Sequence, residues 1–116
     1  MAEHNLLGIS GEQEAVNYLQ SKGYQILETN WRWHKAEVDI IAFEKNTLVF
    51  VEVKTRSYNT IINPEEAVSE KKQNLLIEAA EAYCESNQMQ NEIRFDILAL
   101  VIRENKTHIK HIEASF

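Results

Sequence analysis

The stretch Leu48-Val49-Phe50-Val51-Glu52-Val53-Lys54-Thr55-Arg56 decides how the rest of this sequence is read. Its four opening apolar residues describe a strand buried on both faces, as in a sheet covered by helices. Glu52 and Lys54 then arrive before the run has left the core. A buried carboxylate and a buried ammonium each cost several kcal/mol unless paired or given a metal. Their presence asks for a reason, and the flanking sequence supplies two.

Upstream, Ala36-Glu37-Val38-Asp39-Ile40-Ile41-Ala42-Phe43 reads as a second strand, joined to the first by a tight turn at Glu44-Lys45-Asn46. A period of two puts Leu48, Phe50, Glu52 and Lys54 on one face, and Glu37 and Asp39 on a face with Ile41 and Phe43. The hairpin brings Asp39 near Glu52 and Lys54. Residues 24–33, ending in Trp31-Arg32-Trp33, form a further strand, and two more are expected over about 93–102 and 107–112.

Helices bracket this sheet. Ser10-Gly11-Glu12-Gln13 has the form of a capping box, opening a helix that runs to about Lys22 and stops at Gly23. Its buried stripe is Ala15-Val16-Leu19, and Glu12 precedes it on the same side, aimed at the sheet, with Glu14 outside and solvated. Asn63-Pro64-Glu65-Glu66 is a second capping box, with Pro at the first helical position. The helix it opens extends to about Ser86, with Val68, Leu75, Leu76, Ala79, Ala80 and Tyr83 on one stripe. The expected fold is α/β, a mixed central sheet with flanking helices in the order αβββαββ, all within one domain spanning residues 1–116.

Composition bounds the function. The chain has 116 residues, 44% hydrophobic and 26% charged, which is ordinary for a soluble globular domain. Its one cysteine, Cys84, sits in a helical context and excludes an internal disulfide. The opening MAEHNLLGIS lacks the basic start and apolar run of a signal peptide, and no segment approaches the roughly 18 apolar residues of a membrane span. A cytoplasmic location without membrane association is expected. The net charge of −6 weighs against a nucleic-acid partner. However, residues 1–58 carry six Lys/Arg against eight Asp/Glu, while 59–116 carry six against ten. Much of that second excess lies at Glu65, Glu66, Glu70, Glu78, Glu81 and Glu85, in the second helix.

Gathered carboxylates repel one another, and a hard divalent cation reverses that cost. Mg²⁺ or Mn²⁺ held by Asp39, Glu52 and Glu12 could polarise a phosphoryl oxygen and activate a water. Lys54 could hold that water or stabilise charge on the phosphate. The bland reading is a cross-strand ion pair, Glu52–Lys54 or Asp39–Lys54. Lys72 starts from the buried stripe of the second helix and is long enough to reach the acidic cluster. Arg32 and Arg56 are phosphate contacts or surface salt bridges. Trp31 and Trp33 pack in the core or stack on bases. Asp96, interrupting an apolar strand, pairs with Arg94 or another structural base. The four histidines show no zinc-site spacing.

Asp39 followed by Glu52-Val53-Lys54 is similar to the D…(D/E)-x-K signature of restriction-endonuclease-like nucleases. GEQEAVNYLQSKGYQIL, NWRW, EVDIIA, LVFVEVKTR, PEEAV, RFDILAL and HIKHIEASF together resemble the small bacterial YraN-like family, related to archaeal Holliday junction resolvases. The resemblance covers Gly8 to Phe116, with Val38 in place of the signature's proline. It implies a restriction-endonuclease-like fold and a metal-dependent endonuclease acting on structured or branched DNA. It further implies metal ligation by Asp39, Glu52, the Val53 carbonyl and Glu12, a supporting Glu37, Lys54 beside the attacking water, and a homodimer. Gln73, beside Lys72, matches the family's Lys-Gln pair as a substrate contact. Two alternatives stand beside this reading: a non-catalytic nucleic-acid-binding domain, and a protein-interaction module using the acidic helix.

Overall fold

In the computed structural model, residues 3–57 and 68–116 are described, with side chains over 11–56 and 68–116. The first helix, α1, spans Glu3–Ser21. Ser10 lies inside it, so the capping-box residues do not mark its start; Glu3–Ile9 contain no proline to stop the backbone ladder from extending upstream. Gly23 ends the helix as expected. Its φ of 92° is open to glycine without strain. Tyr24 N–H then reaches the Leu19 carbonyl at 3.0 Å and Gly23 N–H that of Gln20 at 3.0 Å, which satisfies two end carbonyls.

Three strands follow: β1 (Gln25–Trp33), β2 (Ala36–Glu44) and β3 (Thr47–Ser57). The turn between β2 and β3 places Lys45 at φ 48° and Asn46 at φ 62°. Two consecutive positive φ angles give the turn whose twist matches a hairpin. Helix α2 spans Glu70–Ser86, capped by Ser69, whose hydroxyl accepts from Lys72 N–H at 3.2 Å. The expected cap at Asn63–Glu66 lies outside the described residues. Val68 precedes α2 and is therefore not on its stripe, although it is buried. Strands β4 (Glu92–Arg103) and β5 (Lys106–Ile112) complete the sheet.

The sheet order is β1-β2-β3-β4-β5, with β3 and β4 parallel and the other neighbours antiparallel. Alternate residues of β3 divide between two cores. Leu48 and Phe50 pack with Leu76, Ala80, Tyr83 and Cys84 of α2. Val49 and Val51 pack with Ala15 and Leu19 of α1. A sheet covered on both faces explains the unbroken apolar run at 48–51. Burying each of these side chains contributes roughly 1.5–3 kcal/mol. Among the described residues no helix is long and apolar enough to cross a membrane.

Candidate functional site

The site begins where the sheet forks. β2 pairs with β3 only from Ile40↔Val51 to Glu44↔Thr47. β1 and β2 stay together as far as Trp33↔Ala36, while β3 continues beside β4 to Ser57↔Ile102. The prongs part at Asp39. Its Oδ2 accepts a hydrogen bond of 2.7 Å from Val53 N–H, so a side chain takes a donor that β2 backbone no longer reaches.

The side-chain alternation of β2 breaks at the same point. Ile41 joins the α2-side core and Ile40 the α1-side core, yet Val38 also lies on the α2 side. Asp39 lines a cleft of about 170 Å³ with Glu12, Gln13, Val16, Thr29, Asn30, Ile40 and Val53. It therefore does not share a face with Ile41 and Phe43, as strict alternation predicts. The facing residue Asn30 has φ 51°, so both strands depart from regular geometry at this level. Glu12 is exposed at the cleft wall, because α1 here faces open space and not a packed interior. Glu14 is half-buried, not solvated.

Glu52 stands on the α2 side and is 7% exposed. Its Oε1 receives Lys72 Nζ at 2.5 Å and Lys54 Nζ at 3.2 Å. Lys72 does reach the acidic residues from α2. Burial alone would lower its pKa, but the Glu52 hydrogen bond and charge, followed by Lys54 and Asp39, raise it. The Asp39 carboxyl is pushed up to about 6, first by burial and then by the Glu52 charge. Val53 N–H and Lys72 oppose that rise, and Glu37 adds to it. Asp39 is thus a carboxylate held at a cost.

The remaining candidates are more loosely placed. Glu37 pairs with Arg32 at 2.9 Å on the surface. Arg56 donates to the Thr55 carbonyl at 2.9 Å, and Gln73 donates to the Val68 carbonyl at 3.2 Å. Trp31 packs edge-on against Tyr83 of α2 with centroids 5.2 Å apart, whereas the ring that Trp33 meets among the described residues is His34, at 4.3 Å.

Among the described residues no three His, Cys, Asp or Glu side chains form a group able to hold a metal ion. The trio Asp39, Glu52 and Glu12 is divided, because Glu52 faces α2 while Glu12 and Asp39 border the α1-side cleft. A Mg²⁺ site needs less, since that ion takes one or two carboxylates and keeps several waters. Asp39 and Glu52, one on each side of the fork, are two carboxylates whose charges meet, and the raised Asp39 pKa, set first by burial and then by Glu52, is a cost a cation would relieve.

A second polar cluster was only partly legible. Asp96, in β4, accepts two hydrogen bonds of 2.9 Å from Arg94, one of 3.0 Å from Ala114 N–H, and meets His111 Nε2 at 2.7 Å. The Arg94 pairing is the structural one expected. His111 gave no signal in the sequence beyond its place in the final strand, opposite Leu98.

The model of the uncharacterised protein family UPF0102 matches residues 11–100. A UPF0102 protein of Flavobacterium psychrophilum is 50% identical over 116 residues, covering all of this chain and 98% of the relative. UPF0102 proteins of Christiangramia forsetii and Parabacteroides distasonis are 48% and 45% identical over the whole chain, covering 98% and 96% of those relatives. The chain belongs to the UPF0102, or YraN-like, family.

Proposed function

We propose that this UPF0102 protein is a divalent-metal-dependent endonuclease of restriction-endonuclease-like fold, hydrolysing phosphodiester bonds in structured or branched DNA. The observation carrying this reading is the fork at Asp39: Val53 N–H binds Asp39 on one side, and on the other Glu52 gathers Lys54 and Lys72, near enough for its charge to raise the Asp39 pKa. Asp39, Glu52 and the Val53 carbonyl would hold Mg²⁺ or Mn²⁺, which supplies Lewis-acid polarisation of the phosphoryl oxygen and acidifies a bound water.

The chain's own residues do the rest. Lys54, only 14% exposed in its side chain, holds the attacking water or a phosphate oxygen from the β3 prong. Lys72, paired with Glu52, would offer a second cation to developing phosphate charge. Glu12, on the cleft wall, and Glu37, beside Arg32, support the site through bridging waters. Arg32 and Arg56 contact flanking phosphates, and Gln73 the substrate near the start of α2. Kinship with archaeal Holliday junction resolvases belongs to the same reading. So does a homodimer, since one set of carboxylates serves one strand, and so does a cytoplasmic location.

The test is incubation of purified protein with Mn²⁺ and a panel of branched, flapped and single-stranded DNAs, beside Asp39→Asn. Cleavage by the wild type and none by the variant is expected. Binding without cleavage across the whole panel would sink the enzymatic reading in favour of a binding domain, whose affinity would fall with salt and ignore metal.

A further inference from the structure

We infer that the tip of the β1–β2 hairpin, Arg32-Trp33-His34-Lys35, is a stacking platform for an unpaired base, so that the fork receives its DNA as a single strand. The inference rests on the nucleic-acid reading above and narrows its substrate class.

The two tryptophans of β1 have different tasks. Trp31 is anchored against Tyr83 and packs on the α2-side core. Trp33 lies two residues further along the same face and, among the described residues, is not part of that core. It is half-buried, with the exposed His34 ring edge-on at 4.3 Å. Only a turn geometry puts His34 there: its φ is 55°, a conformation that costs a non-glycine residue some strain. The hairpin thus presents an indole and an imidazole at the end of a ribbon that no longer pairs with β3.

Charge agrees. Residues 31–35 carry Arg32 and Lys35 and no acid, in a chain whose net charge is −6, while Glu37 on the opposing strand pairs with Arg32. The Arg32 side chain is 77% exposed. The face that carries Trp33 is also the α2 side, where Glu52 meets Lys54 and Lys72. Trp33 pairs with Ala36, three residues before Asp39 along β2, about 10 Å at strand rise. The tip therefore lies along the same ribbon as the fork, on the face that carries the lysines. A duplex cannot present a base's face there, because the base is stacked and paired; an unpaired nucleotide can.

The experiment measures anisotropy of labelled oligothymidylate and of a duplex of equal length, both in EDTA so that no cleavage is read. Tryptophan fluorescence is followed in parallel. Tighter binding of the single strand with quenching is expected, and Trp33→Leu should weaken it about tenfold while leaving the duplex unchanged. Trp33→Phe should restore most of the loss, and it serves as the reading variant should Trp33→Leu fail to fold. Equal affinity for both DNAs, no quenching, or an unaltered folded Trp33→Leu would overturn the inference. Preference for the matching oligouridylate would overturn the assignment to DNA. Cleavage of branched duplex with Mn²⁺ alongside any such failure would remove the platform and leave the endonuclease reading intact. Single-strand binding through Trp33 without cleavage would do the reverse.

Discussion

Val38-Asp39-Ile40 and Phe95-Asp96-Ile97 are nearly the same in sequence and opposite in physics. Each aspartate interrupts an apolar strand of the same sheet. Asp96 is 0% exposed in its side chain and surrounded by donors: Arg94 twice, His111 and the Ala114 amide. Burial would raise its pKa, yet the bonds from His111, Arg94 and Ala114 prevail and lower it. Asp39 receives one amide, and burial followed by the charge of Glu52 raises its pKa. A carboxylate in a strand is stabilised or held at a cost according to the donors its neighbours deliver, not according to its own strand.

The largest expected effect follows from removing the satisfied partner. Asp96→Asn removes the nearest counter-charge of the mostly buried Arg94 guanidinium, leaving Glu113 at 3.2 Å and Glu44 at 3.7 Å, at a cost of about 3 kcal/mol. Urea unfolding at neutral pH should show it, and an unchanged midpoint would erase the contrast between the two aspartates.

The same substitution at the fork should act with the opposite sign. A rise in Asp39 from 3.8 to about 6 corresponds to an upper bound of about 3 kcal/mol carried by the ionised group. Because the folded pKa is raised, the native state gains from Asp39 below pH 3.8 and loses that gain as pH climbs through about 6. Asp39→Asn keeps an acceptor for Val53 N–H and should therefore stabilise the metal-free protein above pH 6. The advantage should vanish below about pH 4. The linkage for Asp96 runs the other way: its stabilisation is present above 3.8 and is lost as pH falls through its lower folded value. Thermal melts of both variants across that range would expose two slopes of opposite sign.

Adding Mg²⁺ or Mn²⁺ sharpens the comparison further. At a hundredfold excess over its dissociation constant, the cation should stabilise the wild type by about 2.7 kcal/mol. Asp39→Asn should not respond. A wild type indifferent to metal by calorimetry would reduce the fork to an ion-pair network around Glu52.

The smallest effect concerns the exposed pair Arg32–Glu37. Arg32→Ala should move stability by no more than about 0.5 kcal/mol. Its signature belongs in binding, where the salt dependence of DNA affinity should flatten by about one ion. A loss of stability comparable to that at Asp96 would mean that Arg32 supports the hairpin and not a phosphate.

Much of the scaffold was legible from sequence because it is written in local rules. Gly23 ended α1 where its freedom of φ predicts, Lys45-Asn46 formed the turn, and the run at 48–51 announced a sheet covered on both faces. Helix starts were less legible. Ser10 offered a cap that upstream residues overran, and Ser69, which no local pattern singles out, is the cap of α2. Several short polar residues can cap a given helix, and only packing of the helix against the sheet selects among them.

The sequence by itself determined the order of strands and helices, the β2–β3 turn and the end of α1, and that acids and lysines lay unusually deep in the strands. Tertiary structure decided what each carboxylate does. Asp39 meets a donor 14 positions away, Glu52 a lysine 20 positions away, and Asp96 a histidine 15 positions away. The break in alternation at Asp39 likewise arose where β2 leaves β3, a matter of pairing between strands. Periodicity and turn chemistry act over a few bonds of backbone, but solvation and charge act through space. The sequence order therefore holds the first kind of information openly, and the second exists only once the chain has folded.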